Sequence, residues 1–149
     1  MTSRRGLEIR SANAGDAPGL SELFATAGLQ VSASVLAERL DAVRKDPGAV
    51  LVAIEWGPPS GLVVAHWRWT LDSDLPVAQL STLLVAPADR RRGVGRMLLK
   101  AASQAARMAG CGAMLMSAGS AEPGLRAFAV ATGFNDTGLS LARPLRKGR

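Results

Sequence analysis

The stretch LLVAPADRRRGVGRMLLKAA, residues 83–102, constrains the fold more than any other part of this chain. An apolar run enters a turn of three consecutive arginines, Arg90, Arg91 and Arg92, and leaves through Gly93-Val94-Gly95 into a segment of helical spacing. A strand that passes into a helix across a glycine-rich bend belongs to an α/β architecture. The first amides of a helix have no intrahelical acceptor and carry the positive end of its dipole. Glycines there let an anion approach the backbone closely, and arginine adds charge-assisted bonds. The motif by itself leaves two readings open, a solvated charge run at a helix start or a cradle for phosphate. Two familiar phosphate loops do not fit. No G-x-x-x-x-G-K-[ST] string exists, and G-x-G-x-x-G fails because position 98 is Leu98.

The rest of the chain supplies a mixed sheet around that junction. A short strand over 7–10 precedes a helix from about Asp16, which is placed as its N-cap, with Pro18 in the first turn and Gly28 at the end. A second helix starts at Ser32 or Ser34, buries Val35, Leu36, Leu40 and Val43, and stops at Pro47-Gly48. AVLVAIEW is a strand covered on both faces, and GPPSG is a turn. LVVAHWRWTL alternates, with Val63, Ala65, Trp67, Trp69 and Leu71 on one face and Leu62, Val64, His66, Arg68 and Thr70 on the other. A strand over 77–85 completes an antiparallel meander. After the bend, a helix presents Met97, Leu98, Ala101, Ala105 and Met108 and closes at Gly110. A buried strand over 113–118, a short helix ending at Gly133 and a last strand over 139–145 give the order β-α-α-β-β-β-α-β-α-β. No repeat or linker interrupts it, so 1–149 reads as a single domain with a core over about 7–145.

Composition narrows the function. A length of 149 residues, 48% apolar and 20% charged, suits a soluble globular chain, and no apolar run approaches the ~20 residues that span a bilayer. The N-terminal basic residues have no apolar segment behind them, so no secretory signal is read there and a cytoplasmic location is expected. One cysteine and one histidine cannot easily build a His/Cys metal site, so no metal is expected. Cys111 reads as a small buried hydrophobe. The net charge of +6 favours an anionic partner. Nucleic acid is the weaker choice, since aromatics make up 4% and the basic residues fall at the termini or in the bend.

Arg90-Arg91-Arg92-Gly93-Val94-Gly95, with LLVAP before it and RMLLKAA after it, resembles the central motif of the Gcn5-related N-acetyltransferase (GNAT) family. LEIRSANAGDAPGLSEL is similar to that family's opening strand and helix, and LRAFAVATGF to its close. The resemblance implies the GNAT acyl-CoA N-acyltransferase fold, a mixed, mostly antiparallel sheet flanked by helices. It implies acetyl-CoA as co-substrate and a primary amine, on a small molecule or a protein, as acceptor, with no membrane partner. Amides from Arg91 or Arg92 through Val94, Gly95 and Arg96 would hold the pyrophosphate. Leu83 and Val85 would pair with the pantetheine arm as an added strand, and a donor near Leu83 or Leu84 would stabilise the oxyanion. Relatives are often dimers, so a homodimer is expected on the same ground.

The sequence departs from that pattern in its polar residues. The family's usual tyrosine in the last helix has no counterpart, since the chain has no tyrosine and the matching position is Ala129. The glutamate often found on the fourth strand is also missing, and that strand offers Gln79, Ser81 and Thr82. His66 could take the proton of the attacking ammonium, histidine being the side chain whose free pKa lies nearest neutrality. Its bland alternative is a half-buried strand histidine. Ser120 could replace the missing acid, or only cap the last helix. Glu122 fits the first turn of that helix better than proton chemistry. The enzyme is the preferred reading, and a catalytically depleted acyl-CoA sensor is the alternative. Trp56, Trp67 and Trp69 are read as core, or as one wall of an aromatic acceptor pocket.

Overall fold

The structure is a computed structural model that describes residues 6–90, 92–117, 123–138 and 141–146. The chain divides into two compact units, Met1–Met116 and Ser117–Arg149.

The first unit is a five-stranded sheet in the spatial order β1-β2-β3-β4-β5. Its strands are β1 (Glu8–Ser11), β2 (Gly48–Ile54), β3 (Gly61–Arg68), β4 (Val77–Val85) and β5 (Ala113–Met116). The first four pair antiparallel, and β4 pairs β5 in parallel because the helix α3 (Val94–Met108) carries the chain back between them. The helices α1 (Ala17–Thr26) and α2 (Ala33–Arg44) connect β1 to β2. They pack Leu20, Leu23, Leu36 and Leu40 against Val50, Val52, Leu62 and Val64. The other sheet face belongs to α3, whose buried residues are Val94, Leu98, Leu99, Ala102 and Ala106. The two helical layers leave β2 and β3 covered on both faces, as the apolar run AVLVAIEW implies.

Several local expectations need correction. Asp16 precedes α1 but makes no side-chain cap; Arg10 and the Asn13 amide occupy its carboxylate, and Asn13 caps the short 3₁₀ turn Ala14–Asp16. Of the two serines weighed for α2, Ser32 is the cap, accepting from the Val35 amide. The buried stripe of α3 is turned relative to the one read from the sequence: Val94, Leu98, Ala102 and Ala106 recur every four residues, while Met108 is 83% exposed. Apolar residues span more than half of this helix, wider than one buried stripe, and Ala102 and Ala106 allow a close approach to the sheet, so that side sits inward while Met108 stays out.

The strand β3 ends at Arg68, opposite Val77, because Pro76 supplies no amide and β4 offers no partner beyond it. Trp69 and Leu71 therefore fall in the connecting turn and are exposed. Trp56 is 80% exposed, so of the three tryptophans only Trp67 is partly buried. Cys111 is half-buried rather than buried, and desolvation pushes its thiol pKa up. The strand β5 is not buried either, because among the described residues it lies at the sheet edge.

In the second unit α4 (Pro123–Ala131) ends at Gly133, φ +102°, where the Phe134 amide turns back to the Ala129 carbonyl. The last strand, expected over 139–145, is absent from 141–146, which are exposed and carry no ladder. Pro144 removes a ladder donor there. Residues 139 and 140 lie outside the described residues.

Candidate functional site

The site begins where β4 parts from β5. Their pairing runs from Val77 with Ala113 to Leu80 with Met116, whereas β4 continues to Val85. On its other edge β4 stays bonded to β3, and the Ala86 amide donates to the Ser60 carbonyl at 2.9 Å. Peptide groups of an antiparallel strand alternate in direction. Counting back from Ala86, Leu84 and Thr82 turn their amides and carbonyls to β3, and Leu83 and Val85 turn theirs to the side that β5 has left. Arg90 Nε reaches the Val85 carbonyl at 3.4 Å. Leu84, one of the two residues considered as oxyanion donor, thus has its amide in the sheet. Leu83 has its amide on the side that no strand pairs among the described residues.

The register slips at the same place. Val64 lies opposite Thr82 but Ala65 lies opposite Leu80, which leaves Ser81 as an extra residue, a β-bulge. The Ser81 hydroxyl and His66 Nε2 are 2.8 Å apart. His66 is opposite Gln79, and opposed residues share a sheet face. His66, Gln79, Ser81 and Thr82 therefore form a polar strip on the face that α1 and α2 cover farther along, with Arg68 two residues beyond His66. Sequence reading named His66 and Ser81 separately and missed their pairing. The signal was the adjacent polar pair Ser81-Thr82, which breaks the alternation of VAQLSTLLV.

Beyond β4, a 3₁₀ turn over Pro87–Asp89 leads into the bend. Gly93 caps α3 in the left-handed region, φ +83°, a conformation that a Cβ disfavours. The first helical bond found runs from the Met97 amide to the Gly93 carbonyl at 3.0 Å. The amides of Gly93, Val94, Gly95 and Arg96 thus have no acceptor within the helix. Val94 is buried and anchors the helix start, Gly95 is half-buried, and Arg90 and Arg96 are exposed.

Arg92 is engaged by protein groups. Its Nη1 is 2.6 Å from Asp89 Oδ1, and its Nη2 is 3.0 and 3.3 Å from the two carboxylate oxygens of Glu55. Glu55, with smaller help from Asp89, raises the guanidinium pKa above its ordinary value. Its amide also bonds the Asp89 carbonyl at 3.3 Å. Nothing in the sequence singled out Glu55, which lies 37 residues away. Arg91 and Ser120 lie outside the described residues, as do Arg4, Arg5, Glu122, Lys147 and Arg149. Among the described residues no three His, Cys, Asp or Glu side chains cluster as a metal site, and no helix is long and apolar enough to cross a membrane.

The comparisons agree with this architecture. A search of curated proteins finds no significant match. A putative acetyltransferase from Agrobacterium tumefaciens is 26% identical, with a TM-score of 0.79 over 91% of this chain and 99% of that one. The aminoglycoside N-acetyltransferase AAC(6')-Iy, solved in complex with CoA, is 22% identical, with a TM-score of 0.81 over 94% and 95%. An aminoglycoside acetyltransferase from an uncultured soil metagenomic sample, solved with sisomicin, is 20% identical, with a TM-score of 0.77 over 95% and 97%. The last two likenesses are of fold alone. The family model for the acetyltransferase (GNAT) family matches residues 19–134. With most of its length inside that match, the chain belongs to the GNAT acetyltransferase family.

Proposed function

We propose that this protein transfers the acetyl group of acetyl-CoA to a primary amine in a ternary complex. One observation carries the reading: the Leu83–Val85 edge, which β5 leaves unpaired among the described residues, leads through one 3₁₀ turn into the left-handed Gly93 bend and the start of α3. An extended amide-bearing arm can pair with that edge, and a diphosphate can sit on the helix amides. Arg90 and Arg96 add positive charge at the same end.

The amine nitrogen attacks the thioester carbonyl carbon; the N–C bond forms, the C–S bond breaks and coenzyme A thiolate leaves. The Leu83 amide is the donor for the oxyanion of the tetrahedral intermediate. The proton lost by the amine passes to Ser81 Oγ as the Ser81 hydroxyl proton passes to His66 Nε2, across their 2.8 Å bond. The thiolate takes its proton from solvent, Ala129 standing where relatives carry a tyrosine. The protein otherwise contributes proximity and orientation.

Acetyl-CoA at a hundred times its Kd should raise the Tm by roughly 5–10 °C, from about 2.7 kcal/mol of linkage and ~2–4 °C per kcal/mol in a domain of this size. Gly93→Asp or Gly95→Asp should abolish that shift. Acceptor-dependent thiol release across an amine panel tests turnover. His66→Ala should flatten the acidic limb of the rate profile, and Ser81→Ala should lower the rate without altering acetyl-CoA affinity. An unchanged profile in His66→Ala rejects the relay. The absence of tyrosine favours a second reading, an acyl-CoA sensor, which silence across the panel with an intact thermal shift would establish.

A further inference from the structure

We propose that Glu55 is a positioning residue of the cofactor bend: through Arg92 it fixes the turn that presents the α3 amides, and Arg92 serves as this clamp and not as a ligand of the diphosphate. The inference rests on the cofactor reading above. Three arginines in a row invite the view that all contact phosphate, and the geometry separates one of them. Arg92 is held from two directions, by Asp89 inside the bend and by Glu55 just past the end of β2, so its fork ties the turn to the sheet. Both carboxylates are largely shielded, with side chains 18% and 19% exposed, whereas Arg92 itself is 41% exposed. The next residue is Gly93, in the left-handed region, and then α3 begins. A rotation at Arg92 would therefore redirect the amides that follow.

The charge count points the same way. Glu55 and Asp89 bring two negative charges close to an anion site, and Arg92 brings one positive charge between them. Removing Arg92 exposes a diphosphate to two unneutralised carboxylates. Removing Glu55 frees Arg92 and loosens the bend while lessening that repulsion, so weaker binding in Glu55→Gln cannot come from charge.

The test is a double-mutant cycle on acetyl-CoA Kd by calorimetry, using wild type, Glu55→Gln, Arg92→Gln and the double variant at several salt concentrations. Positioning predicts that Glu55→Gln weakens binding roughly fivefold, the scale of one exposed ion pair. Arg92→Gln should weaken it more, Arg92→Lys less than Arg92→Gln, and the double variant no more than Arg92→Gln alone. The salt dependence of Kd should not fall in Glu55→Gln and should fall in Arg96→Gln, which removes an exposed positive charge beside the site. The unliganded Tm, measured alongside, checks that each variant is folded. Wild-type affinity in Glu55→Gln, or effects that multiply in the double variant, would overturn the clamp. If wild type binds and Gly93→Asp does not, the cofactor reading stands and a null result in Glu55→Gln counts against the clamp alone; if wild type fails to bind acetyl-CoA, the cofactor reading falls and the clamp with it.

Discussion

Gly61 is the place where α3 seats on the sheet, and adding one methyl group there tests whether that seat governs the site. A Cβ at position 61 would stand 2.7 Å from Leu98 Cδ1, 3.0 Å from Val94 Cγ1 and 3.1 Å from the Leu84 carbonyl oxygen. Ordinary carbon–carbon contact is about 3.5–4.0 Å. Leu98 and Val94 are 0% and 1% exposed, so neither has open space into which to turn, and the helix start must move outward. Overpacking of this kind costs about 1–3 kcal/mol, offset by up to ~1 kcal/mol from the smaller entropy of the unfolded chain. The net loss of ~1–2 kcal/mol corresponds to a Tm lower by roughly 2–8 °C in a domain of this size. Thermal denaturation of Gly61→Ala, with and without acetyl-CoA, should show that drop. It should also show a smaller ligand-induced shift, because Val94 opens the helix whose amides are proposed to bind the diphosphate. Leu98→Val in the same chain should recover part of the loss. A Tm within 1 °C of wild type, or strictly additive single and double variants, would refute the seating argument.

Gly48→Ala should be more damaging, by ~3 kcal/mol or more in denaturant unfolding, because its Cβ would lie 2.2 Å from the Ala65 carbonyl oxygen and 3.1 Å from His66 Cα, and backbone cannot turn aside. The Asp16 carboxyl is held below the ordinary carboxylate range by two hydrogen bonds from Arg10 and one from the Asn13 amide, against the opposing effect of burial. A depressed folded pKa means that the pair stabilises fully above the unfolded value near ~3.9 and ceases to do so as pH falls through the folded one. Asp16→Asn should lose roughly 1–2 kcal/mol at neutral pH, discounted for an Arg10 side chain one-third in solvent, and should flatten the stability profile below about pH 4. An equal slope in both proteins would show that other carboxylates govern acid unfolding.

Local chemistry was readable in this sequence wherever one residue settles the backbone. Gly28, Gly93, Gly110 and Gly133 all take positive φ at helix boundaries, and each was placed there from the string alone. The alternating faces of β3 follow in the same way as far as Arg68, whereas the string leaves Ser32 and Ser34 as rival caps of α2 and the structure selects Ser32. Errors arose where a neighbour distant in sequence decides. Trp69 and Leu71 continue the alternation of β3 perfectly well, but β4 begins too late to pair with them. The inward side of α3 depended on how closely alanines can approach the sheet, which a pattern of apolar letters does not encode.

The site divides along the same line, and the division shows what kind of information a motif carries. Arg90 to Gly95 reads as an anion cradle because glycine conformations and helix-end amides are properties of consecutive residues. The partners around it come from elsewhere: Glu55 from beyond β2, which pairs with Arg92, and His66 from β3, which meets Ser81 at the extra residue of β4. Under the proposed function, the bulge also supplies a way for a chain without the family's usual strand glutamate and tyrosine to carry out the reaction. A bulge turns one more side chain toward the β3 neighbour than regular pleating allows, and here that side chain is a hydroxyl within bonding reach of the chain's sole histidine. Deleting Ser81 would leave Val64 opposite Thr82, Ala65 opposite Leu80 and His66 opposite Gln79 in regular alternation, so the register of β4 does not need the extra residue. The proposed proton relay, and not the pairing of β3 with β4, is therefore what depends on the inserted residue. Ser81→Ala, which keeps the insertion and loses only the hydroxyl, tests that dependence: it should retain the wild-type Tm within about 1 °C, on the scale of surface substitutions, while lowering turnover.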